Sequence, residues 1–310
     1  MTSNEKADRD NPQFFDVWKL PWESGSERNS SKFFHSLDVR TMSERTEAGQ
    51  GTYMVKVPAG WSHVEEADEA TLEIFIVEGD LTANGQQLGA GGYVAIPQGG
   101  GAVELSSSGG CQAYAFWDSE WVKGYYYDDQ VYIAKVWEVD WILTELPGLR
   151  HGIMHKSLRW PDPCEGLVHG GPGGMLRFIH MAPGFGEPRQ EVHEHCWEEM
   201  VWLSGDLMMA ERGSHAAGSF LANPAGLKHG PLLTAKGSLL MLHCDAPMGA
   251  EFHDLFDEEG NEVGSEIKRA FHDGTSWLDM PEHRDWQECS EYDLYPNSEP
   301  VYVEHDNKGV

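Results

Sequence analysis

The chain has 310 residues and carries 51 acidic against 22 basic side chains, a formal charge of −29. That charge repels nucleic-acid phosphates and anionic membrane surfaces, so neither nucleic acid nor a membrane is expected as a partner. No stretch reaches the roughly 20 apolar residues of a membrane span, and MTSNEKADRD lacks the apolar core of a secretion signal, so the expected setting is the cytoplasm.

In chain order, short β-rich runs recur between turn signals: TYMVKV, EIFIV, YVAI and AYAFW, then MLRFIHM, EMVWL and LLMLH. β-Branched and aromatic runs of this length predict an all-β fold. Residues 120–146 are ambiguous, and residues 263–272 are the best candidate for a short helix. The five cysteines are scattered without paired spacing, which predicts reduced thiols rather than a disulfide framework.

The runs also repeat. Glu73 to Gly79 lines up with Glu199 to Gly205 at an offset of 126, and Gly91-x5-Pro97-x-Gly99 with Gly218-x5-Pro224-x-Gly226 at 127. The entries correspond too: Val17-Trp18-x3-Trp22 matches Val136-Trp137-x3-Trp141 at 119. Several matches in one order argue for duplication. The expected units are 14–130, 131–250 and an unmatched extension at 251–310 that packs on a barrel or at a dimer interface.

In QEVHEHCWEEMVWLSGDL, His193 and His195 are two apart, so on a strand both imidazoles leave one face. Glu199 alternates with Met200 and Trp202 and is expected on the inward face with Val201 and Leu203. A carboxylate there needs a partner. Gly218-x5-Pro224-x-Gly226-x2-His229 brings a third imidazole just after a turn fixed by Pro and Gly. Three neutral imidazoles and a carboxylate suit Fe(II), Mn(II), Ni(II), Cu(II) or Zn(II), with positions left open. Cys196 reads as a turn or packing thiol.

These residues resemble the cupin superfamily, whose motifs are G-x5-HxH-x3,4-E-x6-G and G-x5-PxG-x2-H-x3-N, and SLRWPDPCEG followed by MLRFIHMAPG is similar to its ChrR-like branch. The sequence departs from the pattern in three places. Glu199 stands x5 rather than x6 before Gly205, six residues rather than five separate Gly186 from His193, and Leu233 replaces the Asn. Glu198 fits the x6 count and stays open as the alternative ligand, while Glu199 is preferred for its x3 spacing from His195 and its register with Glu73. The resemblance implies two tandem cupin barrels, each a double-stranded β-helix or jelly-roll, with one divalent transition metal per chain on His193, His195, Glu199 and His229. The first repeat has Ala67, Glu69 and Ala102 where the second has His193, His195 and His229, so it is expected to be a metal-free structural or dimer-forming partner; His63 there reads as part of a solvated acidic loop.

A metal at the mouth of a small barrel marks a pocket for a small-molecule substrate. Its candidate lining is Arg177, Phe178 or His180, Trp197, and Met241 or His243, where alternation keeps Arg177 off the face of Phe178 and His180. The resemblance implies, first, a non-heme Fe(II) dioxygenase acting on a keto, enol or phenolic substrate. Zn(II), Mn(II) or Ni(II) would suit a lyase or isomerase of a small organic acid. A non-enzymatic zinc-binding sensor is the third reading, and a homodimer is open to all three.

Overall fold

The computed structural model describes residues 13–27, 31–45, 50–118, 131–143, 152–159, 175–194, 196–209, 213–244 and 250–254. The candidate helix at 263–272, most of the C-terminal extension, His195, Cys164 and Cys289 lie outside the described residues. Among the described residues the fold is antiparallel strand joined by turns and short 3-10 segments. The described part of the ambiguous 120–146 stretch forms strands Tyr132–Lys135 and Ile142–Leu143 around the 3-10 turn Val136–Glu138.

Two large sheets share one order. In the first, Tyr132–Lys135, Gly92–Ile96, Thr71–Gly79, Cys111–Asp118, Gln50–Val57, Asp38–Arg45 and Glu23–Ser24 lie side by side. In the second, Gln13–Asp16, Ser219–Asn223, Glu198–Met209, Ser238–Cys244, Met175–Met181, Ile153–Arg159 and Ile142–Leu143 follow the same path. The edge strand of each sheet therefore comes from the other repeat. Gln13 pairs with Ala222 and Asp16 with Ser219, while Tyr132 pairs with Ala95 and Lys135 with Gly92. The backbone bonds that follow match as well: Val17 N–H donates to the Gly218 carbonyl and Val136 N–H to that of Gly91, both at 2.9 Å.

The repeated glycines have a steric cause. Gly79 and Gly205 sit at φ of 84° and 77°, and a Cβ would stand 2.1 Å from the Gly110 carbonyl oxygen at the first and 2.0 Å from that of Gly237 at the second. Only glycine accepts both the left-handed backbone and the close approach.

Three apolar clusters order the interior. One lies within the first half, around Ile74, Ile76, Val94, Ile96 and Ala113. Another lies within the second half, around Met200, Trp202, Leu221, Leu240 and Leu242. The third is shared: Met54, Phe75, Tyr93, Tyr114 and Phe116 pack against Phe178, Val201, Leu203, Phe220 and Met241. Strand Glu198–Met209 is thus covered on both faces, and residues 198 to 203 are all buried. Met200 and Trp202 point into their own half, whereas Val201 and Leu203 point at the other half and not inward as expected.

Candidate metal centre

The Pro-x-Gly turn does what its sequence requires. Leu227 N–H donates to the Pro224 carbonyl at 3.2 Å, and Gly226 N–H to the His193 carbonyl at 2.8 Å. Glu191 and His229 then exchange both backbone bonds, at 2.8 and 2.9 Å, which sets His229 opposite the strand that leads to His193.

The side chains converge. His193 Nε2 lies 3.3 Å from Glu198 Oε2 and 3.7 Å from Glu191 Oε1, and His229 Nε2 lies 3.1 Å from Glu198 Oε1. Ligand atoms of Glu191, His193 and His229 fall within 4.8 Å of one another. Asn223 Nδ2 donates to Glu198 Oε1 at 2.8 Å, and all five residues are buried. Burial by itself would raise the Glu198 carboxyl, but the His229 and His193 charges and hydrogen bonds from His193 and Asn223 prevail and hold its pKa at about 2.

The donors fit a cation. His229 Nδ1 stands 3.2 Å from the Leu227 carbonyl, which only accepts, so Nδ1 carries a proton. In the neutral ring Nε2 is then a lone pair, facing a carboxylate that also only accepts. That contact is favourable only with a positive charge between or on them, a proton or a metal ion. Glu191 and Glu198 bring two carboxyl groups to one buried place, where a divalent ion would balance their charges.

Glu199 lies elsewhere. Its carboxylate accepts from Ser43 Oγ, from Thr52 Oγ1 and from His243 Nδ1, the last at 2.8 Å, so it faces the other half. The correction has a physical reason: a strand buried on both faces gives alternation without saying which face is inside. Glu73, used to fix the register, has the same role, since Tyr93 Oη donates to it in the shared layer. His195 lies outside the described residues.

The pocket candidates separate in the same way. Arg177 pairs with Leu242 and so faces the interior of the second half. Met241 and Phe178 belong to the shared cluster. His243 packs on Phe116 at 4.6 Å and on Trp197 at 5.0 Å, and His180 on Trp141 at 5.8 Å. His155, which sequence reasoning missed, lines the interior opposite Ile179. Its only signal was a run of alternation, IMHKSLR, too short to interpret alone. Cys196 joins the second-half core beside Cys244, as a packing thiol does.

At the first-half places matching His193 and His229, among the described residues, no such donors stand. Gly99 N–H donates to the Ala67 carbonyl at 2.9 Å, the counterpart of the Gly226–His193 bond, with a methyl where the imidazole would be. Ala102 and Glu69 are exposed. His63 is not on a solvated loop: it lies on strand Trp61–Glu66, where its Nε2 is 2.7 Å from buried Glu65, which also accepts from Ser31.

Residues 36–127 match the family described as a domain of unknown function, DUF4437. None of the curated proteins matches the chain. A structure of a candidate dioxygenase from Nostoc punctiforme is similar at a TM-score of 0.60 and 16% identity, over 76% of this chain and 83% of that one. A candidate glyoxylate-induced protein from Pseudomonas aeruginosa is similar at 0.54 and 14%, over 79% and 93%. Ylba from E. coli is similar at 0.54 and 15%, over 77% and 93%. At these identities the likeness is one of fold, and the fold is of the cupin type.

Proposed function

We propose that the chain is a metal-dependent cupin enzyme of two tandem barrels, in which His193, His195, His229 and Glu198 hold one divalent transition metal in the second. The observation that carries this reading is the buried Glu198 carboxylate, set between His193 and His229 Nε2 at 3.3 and 3.1 Å. Glu191, 3.7 Å from His193, is a further carboxylate within reach of the same ion.

The favoured activity is that of an Fe(II) dioxygenase on a small keto, enol or phenolic molecule, in keeping with the description of the Nostoc punctiforme protein. A bound ion supplies Lewis-acid polarisation of a substrate oxygen and, as iron, electrons for dioxygen. The chain's own residues do the rest. Asn223 and the two imidazoles keep Glu198 ionised, Leu227 holds His229 with Nε2 toward the centre, and the apolar wall of Met200, Leu221 and Leu242 excludes water.

Elemental analysis of untagged protein tests the reading, with one iron per chain expected. Anaerobically reconstituted Fe(II) protein should consume dioxygen with a β-diketone, hydroxyacetophenone, catechol or flavonol, and the Zn(II) form should not. Turnover without dioxygen uptake, equally fast with Zn(II) or Mn(II), would move it to the lyases and isomerases. Stoichiometric zinc without turnover would favour the ChrR-like sensor.

A further inference from the structure

Glu191 stands outside the motifs that the sequence resembles, yet the backbone fixes it at the centre. It lies on strand Gln190–Val192, two positions before His193, so the two side chains leave one face. Across the sheet it exchanges both backbone bonds with His229, at 2.8 and 2.9 Å. Residues paired in this way have α-carbons about 5.5 Å apart and side chains on the same face. One constraint along the chain and another across it therefore bring this carboxylate to the place where the two imidazoles meet.

The distances agree with a shared ion. Glu191 Oε1 is 3.7 Å from His193 Nε2, while Glu198 is 3.3 Å from the same nitrogen and 3.1 Å from His229 Nε2. Neighbouring ligands of one transition-metal ion lie roughly 3.0–3.4 Å apart, so Glu191 is nearly as close as Glu198. Glu191 is only 7% exposed, which leaves water little part in solvating its charge. The first half keeps a buried carboxylate at the matching place, Glu65, 126 positions earlier. There it meets Ser31 Oγ at 2.5 Å and His63 Nε2 at 2.7 Å, with Ala67 and Ala102 where His193 and His229 would be. The same carboxylate position thus serves a side-chain network in one half and stands among metal-binding imidazoles in the other.

We propose that Glu191 is itself a ligand of the ion, beside His193, His229 and Glu198, and that this second carboxylate raises the preference of the centre for Mn(II) relative to Zn(II). The inference rests on the metal reading above. Carboxylate oxygen suits Mn(II), whereas imidazole suits zinc and copper. Two ionised carboxylates also leave a divalent ion without net charge, where Glu198 alone would leave one positive charge.

Metal affinities of untagged wild-type, Glu191→Gln, Glu191→His and Glu198→Gln proteins test this, with Mn(II) read from the EPR signal of the free ion and Zn(II) from competition with a chromogenic chelator. Glu191→Gln should weaken Mn(II) binding at least tenfold. Glu191→His should still hold zinc, and its ratio of Mn(II) to Zn(II) affinity should fall at least tenfold, a change that a residue merely supporting the site would not cause. A folded Glu191→Gln protein that binds both ions as the wild type does, or an unchanged ratio in Glu191→His, overturns the proposal. If neither Glu191 variant folds, a crystal structure of Mn(II)-loaded wild type decides: a Glu191 oxygen on the ion is expected, and an ion held without it overturns the ligand. Wild type that takes up neither ion, or Glu198→Gln protein with undiminished affinity, refutes the metal reading and this ligand with it. Loss of metal in Glu198→Gln but not in Glu191→Gln overturns the present inference alone.

Discussion

Adjacent carboxylates in one strand have opposite fates, and each fate predicts a different phenotype. Glu198 sits between two imidazoles inside the second half, while Glu199 accepts from Ser43, Thr52 and His243 across the shared layer. Glu198→Gln should therefore lower metal content at least tenfold, measured by elemental analysis, and Glu199→Gln should leave it unchanged. Removing the Glu199 charge instead weakens charge-assisted bonds, at a cost of about 2 kcal/mol in urea unfolding of chelated protein. The places of His193 and of the Pro-x-Gly-x2-His turn were legible in the sequence because local spacing fixes them. The carboxylate was not, because alternation along a doubly buried strand leaves the inside face undefined and the repeat register pointed to Glu73, a shared-layer residue. His155 supplies a pH test. Its native pKa of about 4 lies below the ordinary 6.5, so between those values the unfolded chain takes up a proton that the native state refuses. Stability should fall on acidification through that window, by about 2 kcal/mol between pH 7 and pH 5. His155→Gln should flatten the urea midpoint over the same range by that amount.

At the scale of elements, the entry segments are exchanged. Gln13–Asp16 completes the sheet of the second half, where Phe15 packs on Phe220 at 5.1 Å, and Tyr132–Lys135 completes that of the first. The following turns return to their own halves. Arg40 lies 4.2 Å from the Trp22 ring centroid and donates to the Trp18 carbonyl, and Lys156 lies 4.7 Å from Trp141 and donates to the Val136 carbonyl. The repeated Val-Trp-x3-Trp motif marked these entry segments as equivalent, but the clamps and the exchange were hidden, since a strand's sequence does not say which edge it joins. Ser219–Asn223, the partner of the first arm, also carries Asn223, which holds Glu198. Phe15→Ala should thus cost about 2 kcal/mol. Removing residues 1–16 should lower metal affinity in a centre nearly two hundred positions away in the chain, detectable as easier loss of zinc to a chromogenic chelator.

For the molecule as a whole, the two halves are joined by a shared apolar layer. Each half has its own apolar cluster, yet large side chains of both, including Phe75 and Phe178 at 5.0 Å, meet in a shared third cluster. The Glu199 carboxylate, bonded to Ser43 and Thr52 of the other half, is buried within the same layer, where an unpartnered charge would be costly. Separating the halves would expose this layer, break both exchanged edge strands and leave Glu199 without two of its donors. Neither half is then expected to be stable alone. The intact chain should unfold in a single calorimetric transition whose enthalpy equals its van't Hoff value. Adding metal should move that whole transition upward, including the signal of first-half tryptophans such as Trp61 and Trp117, because an ion bound to one half stabilises every element that melts with it. Two resolved transitions, with only the second responding to metal, would show instead that the shared layer does not couple the halves.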